Sequence, residues 1–351
     1  MIRDPGTSPQ QLETLSAQQL AAAVPDPIVI FDKRGTARYA NPAAISAFGQ
    51  IPAGTMLTHK FRTPEMQKII EGALRETRAG SLEYIERVPL ERAFKVAVLP
   101  LQDATLFMIH FKDQSETRRI DRMRADFIAN ASHELRTPLA SIAGFIETLR
   151  GPARNDEKAR ESFLQIMQTQ TSRMARLIDD LLSLSRIEMK PFARTGEKID
   201  IGEIVGSVVE SLNHLAQDLG VTVNFEPPKE KMLAPANRDE LIQVLVNLLE
   251  NACKYGQSGQ RVDVSIDLSS DGPTPEVTVT IRDYGPGIAE EHIPRITERF
   301  YRIDGETSRV KNGTGLGLAI VKHILTRHEG RLSVRSRLGE GASFTIHLPA
   351  E

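Results

Sequence analysis

One stretch decides how this chain is organised: FIANASHELRTPL, residues 127–139. Apolar residues on both sides of it recur at gaps of three and four, which predicts a long helix with one apolar face. His133 lies beside that face, and Pro138 follows five residues later. Because proline has no N–H to give to the carbonyl of Glu134 and its ring crowds that carbonyl, we expect the helix to bend or loosen beneath the histidine.

The side chains around His133 suit phosphoryl chemistry. Imidazole can accept a phosphoryl group. Glu134 is adjacent and is placed to take or hold the ring proton, and Thr137 lies one helical turn away on the same face. A single histidine on a helix is also a common surface residue, so this stretch alone does not separate a phosphoacceptor from an ordinary position.

Composition narrows the class of protein. The 351 residues give room for two or three domains, at roughly 100–200 residues each. The net charge of -2 offers no basic excess to favour a nucleic-acid partner. The single cysteine, Cys253, excludes an intrachain disulfide and suits a reducing compartment. No apolar run approaches the ~20 residues that a membrane span needs. We therefore expect a cytoplasmic protein, or the soluble portion of one whose membrane contact lies in a segment outside this sequence.

The order of predicted elements indicates a multidomain α+β protein. It divides the chain into a tail at 1–21, a sensory domain at 22–112, a helical hairpin at 113–189, a linker at 190–196 and an α/β domain at 197–351. The sensory segment has the predicted order strand, strand, helices and three more strands.

Two amphipathic helices are predicted in the hairpin, Ser115–Leu149 and Asp156–Met189, with a break at 151–156 that contains glycine and proline. Two such helices joined by a short loop form an antiparallel hairpin. Because one hairpin buries little apolar surface, we expect two copies to form a dimeric four-helix bundle. Packing of both helices on the neighbouring domain is the alternative.

Three helices are predicted in the α/β domain, with strands between them. The first covers Ile201–Leu219, and the second covers Asn237–Tyr255 with Asn237 as its cap. The third covers Leu316–His328.

The second of these helices carries the first of four polar motifs. Asn247, Asn251 and Lys254 are spaced by four and three residues, so they share one face. Amide oxygens suit Mg²⁺, lysine can hold a phosphate as a point charge, and Tyr255 could pack on a purine. Taken alone, the motif is better explained as an ordinary polar face. Cys253 points away from it and is predicted to be a small core residue.

The second motif, DYGPGI at residues 283–288, follows a predicted strand. The Asp283 carboxylate at the strand end can accept from the exocyclic amine of adenine. Gly285 and Gly287 let backbone approach the base and permit positive φ angles. A simple turn would be the default explanation for this motif by itself.

The last two motifs lie close together in the chain. Glu298–Arg302 supplies two aromatic rings and basic groups before the polar stretch Asp304–Asn312. GTGLGL at residues 313–318 then opens a helix, whose free N–H groups suit phosphates. It is not a P-loop, because no Gly-Lys-Ser/Thr follows, and its alternating glycines do not match the usual dinucleotide fingerprint.

In this order, HELRTPL at 133–139 and the four motifs resemble the phosphoacceptor box and the N, G1, F and G2 boxes of bacterial two-component sensor histidine kinases. The GEGASF sequence at 339–344 is similar to the closing Gly-x-Gly motif of that family. The resemblance implies an α/β-sandwich ATP-binding domain of the Bergerat type, with ATP and Mg²⁺ as cofactors. It implies that His133 receives the γ-phosphoryl group, that Glu134 is the base, and that Thr137 orients water when a partner is dephosphorylated.

The resemblance also implies roles in the nucleotide site. Mg²⁺ would be bound by Asn247 and Asn251. The phosphates would be bound by Lys254 and Arg302. Tyr255 and Asp283 would contact the adenine, with Gly285 and Gly287 next to it. The hinged lid over the triphosphate would include Gly313, Gly315, Leu316 and Gly317.

The N-terminal segment resembles PAS sensory domains. The residues that carry this resemblance are DPIVIFD at 26–32 and ANPAA at 40–44. FRTPE at 61–65 is also similar to the phosphate-regulon sensor kinases. The sequence does not reveal a stimulus, and such a domain could bind nothing and only dimerise or pass on strain.

The family resemblance implies a homodimer and, as partner, the receiver domain of a response regulator, with no nucleic acid involved. Two other functional classes remain open at this point. One is an ATPase of the gyrase/MutL kind, and the other is a non-catalytic dimeric scaffold for signalling.

Overall fold

The computed structural model describes residues 17–77, 79–86, 91–101, 105–189, 198–269, 274–303 and 313–350. Backbone contacts divide the chain into two units, Met1–Asp126 and Phe127–Glu351. Most of the predicted tail and all of the predicted 190–196 linker lie outside the described residues. In the part of the chain that is described, no helix combines the length and apolarity needed to cross a membrane.

The elements are numbered along the chain. The helices are α1 Ala17–Ala23, α2 Pro42–Phe48, α3 Leu57–Lys60, α4 Pro64–Glu76, α5 Ser115–Arg150, α6 Glu157–Met189, α7 Ile201–Ser211, α8 Asn213–Asp218, α9 Arg238–Tyr255 and α10 Gly317–Arg327. The strands are β1 Ile28–Asp32, β2 Ala37–Ala40, β3 Gly80–Glu86, β4 Arg92–Leu101, β5 Leu106–Asp113, β6 Lys198–Asp200, β7 Thr222–Phe225, β8 Leu233–Pro235, β9 Arg261–Ser269, β10 Glu276–Asp283, β11 Arg331–Arg337 and β12 Gly341–Pro349.

The first unit is built on an antiparallel five-stranded sheet in the order β2-β1-β5-β4-β3. Alternate residues of β5 point into its core, where Phe111 packs against Phe48 at 4.6 Å between ring centroids. Phe61 joins the same aromatic cluster, and Pro64 occupies the first turn of α4. The FRTPE sequence therefore has a structural explanation as a buried ring followed by a helix start.

A capped junction connects β5 to α5. The Asp113 carboxylate accepts a hydrogen bond from the Ser115 N–H at 2.8 Å, and the Ser115 hydroxyl accepts from the Ala93 N–H at 2.9 Å. Because Asp113 takes one of the N–H groups that a helix start leaves unpaired, α5 begins directly after the strand. The helix then continues through Pro138, which is buried.

The second unit contains a five-stranded sheet in the order β11-β12-β10-β9-β7, in which only the β7–β9 pairing is parallel among the described strands. Helices α7, α9 and α10 share one apolar core with the inner face of this sheet. Leu177, Leu184 and Ile187 of α6 belong to the same core, so the helical hairpin lies against the α/β domain.

One prediction for this domain was wrong in detail, and two short strands were missed. The predicted helix Ile201–Leu219 is two helices, because Leu212 leaves the helical region at φ -95° and ψ 2°. No glycine or proline marks that position, so the apolar pattern continues across the break. The short strands β6 and β8, which pair with each other, were not predicted at all. Each has three residues, which is too short for an alternating pattern to show.

Candidate nucleotide site and phosphoacceptor helix

Helix α9 is stabilised at its N-terminus by a capping hydrogen bond and along its length by burial of one face. The Asn237 side chain accepts from the Glu240 N–H at 3.0 Å, as the predicted cap requires. One face, which includes Leu241, Leu245 and Leu248, is buried in the core. The opposite face is therefore left for polar side chains.

That polar face carries the predicted ligand residues. Asn247, Asn251 and Lys254 are half-buried, and Tyr255 at the helix end is 37% exposed. Lys254 forms an ion pair with Glu250 one turn before it. The ammonium group has three N–H donors, so the contact with Glu250 leaves others for a phosphate.

Asp283 ends strand β10 and is 5% exposed. Its Oδ1 accepts from the Gly285 N–H at 2.9 Å and from the Ala342 N–H at 3.3 Å. Burial raises the pKa of the Asp283 carboxyl, while these backbone hydrogen bonds oppose the rise. The carboxylate is thus fixed in orientation through one oxygen, which leaves Oδ2 for a ligand.

The glycines beside Asp283 allow backbone segments of the protein itself to come close. A Cβ on Gly285 would lie 2.6 Å from the carbonyl oxygen of Tyr255. Gly287 has a φ of +72°, and its Cβ would lie 2.0 Å from the carbonyl oxygen of Arg337. Both glycines therefore have a packing role. The positive φ predicted for this pair occurs at Gly287 but not at Gly285.

The glycine-rich segment before α10 contacts two of the other motifs. Gly315 has a φ of +74°, and its carbonyl accepts from the Phe300 N–H at 2.8 Å. Gly317 lies against Asn247, whose Oδ1 is 3.1 Å from the position of a Cβ on that glycine. The N-terminus of α10 consequently faces the polar side of α9, where its N–H groups and positive partial charge suit an anion. The polar stretch Asp304–Asn312, which precedes the predicted lid glycines, lies outside the described residues.

Asn247 and Asn251 fit Mg²⁺ only together with phosphates. Two neutral amide oxygens from successive turns can supply part of an octahedral shell, and Mg²⁺ usually completes such a shell with water and phosphate oxygens. Among the described residues, no cluster of three or more histidine, cysteine or acidic side chains is arranged to hold a metal by itself.

Helix α5 presents His133, the predicted phosphoacceptor, at the surface. The Thr137 hydroxyl donates to the His133 carbonyl at 3.3 Å, which is a local helix contact. Phe127, two turns before His133, packs against Phe300 at 5.8 Å between ring centroids. The helix that carries the histidine is therefore in contact with the nucleotide domain.

Glu134 is paired with two guanidinium groups. Its Oε2 accepts from Arg173 of α6 at 2.9 Å and lies 3.6 Å from Nη1 of Arg302. Arg302, which the resemblance assigns to the phosphates, is thus directed at the predicted base in this arrangement. Arg173 was not singled out from the sequence, because its partner lies 39 residues away.

Asp180 of α6 is a second residue that the sequence did not reveal. Its Oδ2 accepts from the Thr314 hydroxyl at 2.7 Å across a sequence separation of 134 residues. Nearby, the Gln243 amide of α9 donates to the Ser183 hydroxyl of α6 at 2.7 Å. These hydrogen bonds join the second hairpin helix to the nucleotide domain beside the glycine-rich segment.

Two family models match the chain. The model of histidine kinase-, DNA gyrase B- and HSP90-like ATPases matches residues 236–351. The model of the His kinase A (phospho-acceptor) domain matches residues 123–190. The first match contains the four polar motifs, and the second contains His133.

The chain is also similar to curated and solved proteins. Sensor protein kinase WalK of Staphylococcus aureus is 31% identical over 335 residues, which cover 93% of this chain and 79% of that protein. WalK of Staphylococcus epidermidis is 32% identical over 332 residues, which cover 93% of this chain and 53% of that protein. The chain thus spans about half the length of several curated relatives. The crystal structure of histidine kinase ThkA in complex with response regulator protein TrrA shares the fold, with a TM-score of 0.53, 19% identity and coverage of 96% of this chain and 99% of that one.

Proposed function

The chain belongs to the two-component sensor histidine kinases, and on that premise we propose that it transfers the γ-phosphoryl group of ATP to His133. It then passes the group to an aspartate on the receiver domain of a response regulator. One observation carries the proposal: motifs far apart in sequence converge around Asp283 and the N-terminus of α10, while His133 lies exposed on a helix that contacts the same domain.

The convergence supports a single nucleotide site. The oriented Asp283 carboxylate would accept from the adenine amine next to Tyr255. The triphosphate would lie at the N-terminus of α10, with Lys254 and Arg302 as cations and Gly313, Gly315, Leu316 and Gly317 in the segment that closes over it. Asn247 and Asn251 would hold Mg²⁺, which would neutralise phosphate charge. Phosphoryl transfer depends mainly on such positioning and charge neutralisation.

Glu134 and Thr137, which lie next to His133, would have separate roles in phosphorylation of the histidine and dephosphorylation of the partner. Glu134 would take the imidazole proton during attack on ATP, which requires that it loosen its contact with Arg173 and Arg302. Thr137 would orient water when the phosphate of the partner regulator is hydrolysed. Its weak bond to the His133 carbonyl, at 3.3 Å, leaves the hydroxyl lone pairs available to a water molecule.

The hairpin would form a homodimer. A row of large apolar side chains is exposed on α5 and α6 although α6 already packs on the nucleotide domain, namely Ile128, Leu139, Ile146, Leu164, Ile178 and Leu182. On α6, Leu164, Ile178 and Leu182 fall on one side of the helix. A second copy of the hairpin would cover this surface in a four-helix bundle.

The N-terminal segment, residues 22–112, would be a PAS-like sensory domain. The five-stranded antiparallel sheet and its intervening helices support this assignment. The direct passage from β5 into α5 gives a route from that domain to the helix of His133. A role in phosphate-regulon signalling stays a prediction. The FRTPE sequence at 61–65, on which that prediction is based, already has a structural explanation in the fold.

Labelling with γ-phosphate-labelled ATP tests the kinase proposal. The wild-type chain should retain acid-labile, base-stable phosphate, and His133→Gln should abolish it while nucleotide binding persists. His214→Gln, at an exposed histidine of α8, is the matched control and should label normally.

The alternatives give other outcomes of the same experiment. A gyrase/MutL-like ATPase would release phosphate and leave no label on the protein. A non-catalytic scaffold would fail to bind nucleotide in a calorimetric titration. Wild-type labelling of His133→Gln would show that another residue is the acceptor.

A further inference from the structure

The contact between Asp180 and Thr314 joins a carboxylate of the hairpin to the glycine-rich segment. The Thr314 hydroxyl donates to Asp180 Oδ2 at 2.7 Å and accepts from the Leu316 N–H at 3.3 Å. Leu316 is the cap residue of α10, so one hydroxyl connects the carboxylate to the N-terminus of that helix. The carboxylate therefore lies close to the positive end of the helix dipole.

The surroundings of Asp180 make its negative charge effective. The residue is half-buried, and burial raises the pKa of its carboxyl, while the Thr314 hydrogen bond and the positive charge of Arg176 lower it. Asp179 and Glu250 add negative charge around it and raise the pKa further. Charge in such a partly desolvated place is weakly screened by water and salt.

We propose that Asp180 is a positioning residue that competes with the triphosphate of the nucleotide for the N-terminal end of α10. With the hairpin docked on the α/β domain, Asp180 places a negative charge at this helix end. Phosphates bound at the same end would repel it and weaken its hydrogen bond to Thr314. The inference rests on the nucleotide site proposed above, because it needs the phosphates to lie at the glycine-rich segment.

The competition links nucleotide binding to docking of the nucleotide domain against helix α6 of the hairpin. If docking through Asp180 weakens ATP binding, then bound ATP weakens docking by the same factor, since linkage is reciprocal. ATP would therefore help to release the nucleotide domain from α6. Release is useful for the reaction, because the docked arrangement also holds Glu134 against Arg302 of the nucleotide domain.

A neighbouring hydrogen bond supplies a matched control. Gln243 donates to Ser183 at 2.7 Å and joins the same helix α6 to the nucleotide domain without a charged partner. Ser183→Ala removes an interdomain hydrogen bond but no charge. Asp180→Asn removes the charge but keeps an oxygen that can accept from Thr314.

Calorimetric titration of the full chain with a non-hydrolysable ATP analogue, ADP and adenosine tests the proposal. Asp180→Asn should bind the ATP analogue more tightly, by about fivefold or more on the usual scale of coupling between sites. The gain should be smaller for ADP and absent for adenosine, and it should shrink as salt is raised. Ser183→Ala keeps the Asp180 charge, so it should raise the affinity for the ATP analogue less than Asp180→Asn does and leave adenosine binding unchanged. Asp180→Ala, which also removes the charge, should reproduce the gain for the ATP analogue.

The outcomes separate this inference from the function on which it rests. Unchanged affinity of both Asp180 variants for the ATP analogue, or an equal gain for adenosine, would overturn the competition while leaving the nucleotide site intact. Failure of the wild-type chain to bind the ATP analogue would instead overturn the nucleotide site itself, and the inference with it.

Discussion

Asp283→Asn offers the sharpest test of the nucleotide pocket, because the structure fixes how the substituted side chain must sit. Asp283 Oδ1 accepts from two backbone N–H groups, at 2.9 and 3.3 Å, and the side chain is 5% exposed. An asparagine there must keep its oxygen towards these two donors. Its NH₂ group then takes the place of Oδ2, and in the proposed pocket it would face the adenine amine, donor against donor.

The expected loss follows from that geometry. A hydrogen bond to a charged group contributes about 1.5–3 kcal/mol, so ATP affinity should fall about ten- to a hundredfold. The Asp283→Asn substitution should not destabilise the fold. Because burial raises the pKa of Asp283, the ionised carboxylate costs stability at neutral pH, and the cost appears as the pH rises through its pKa. The ligand-free variant should therefore melt at or above the wild-type temperature at neutral pH.

The assay is a two-by-two comparison by calorimetry. Wild type and Asp283→Asn are each titrated with ATP and with the purine nucleoside triphosphate that lacks the exocyclic amine. Wild type should discriminate against the analogue by about ten- to a hundredfold, and the variant should discriminate little, because the paired groups act as one unit. An equal loss for both nucleotides in the variant would refute the contact with the amine, and unchanged ATP affinity would refute the pocket.

Two more predictions concern the hairpin. Thr137→Ala should keep autophosphorylation within a few-fold of wild type but slow dephosphorylation of the partner regulator by about tenfold or more, the scale of a lost positioning group; equal losses in both rates with a lower melting temperature would show that its hydroxyl only steadies the helix. Light scattering of the full chain should give twice the monomer mass of 38.9 kDa. Leu164→Lys should shift that mass towards the monomer, whereas Ser162→Lys, on the opposite side of α6, should not; a wild-type monomer at tens of micromolar concentration would contradict the four-helix bundle.

Most elements could be predicted because their signals are local. Apolar periodicity defined α5 and α6, and the Asn237 cap and the buried face of α9 placed the polar residues of that helix correctly. The break at Leu212 could not be predicted, because it carries no glycine or proline. It depends on how α7 and α8 pack on the core, which is a tertiary effect.

The site was predicted as a set of motifs but not as a set of contacts. A motif indicates which residue types are present, whereas the partners of Glu134 and Thr314 lie 39 and 134 residues away. Neither Arg173 nor Asp180 belongs to a recognisable motif. The glycines illustrate the same limit, since the positive φ of Gly287 serves close packing against the Arg337 carbonyl.

These long-range contacts bear on the order of events in catalysis. In the docked arrangement, Glu134 lies between Arg173 and Arg302, and Asp180 holds Thr314 beside the helix end proposed for the phosphates. The predicted base and a predicted phosphate ligand are therefore engaged with each other, and an anion already lies near the phosphate position. In the proposed phosphoryl transfer, Glu134 must be available to the imidazole and Arg302 must reach the nucleotide. On this proposal the nucleotide domain moves relative to the hairpin before transfer, and bound ATP would favour that movement by displacing Asp180 from Thr314.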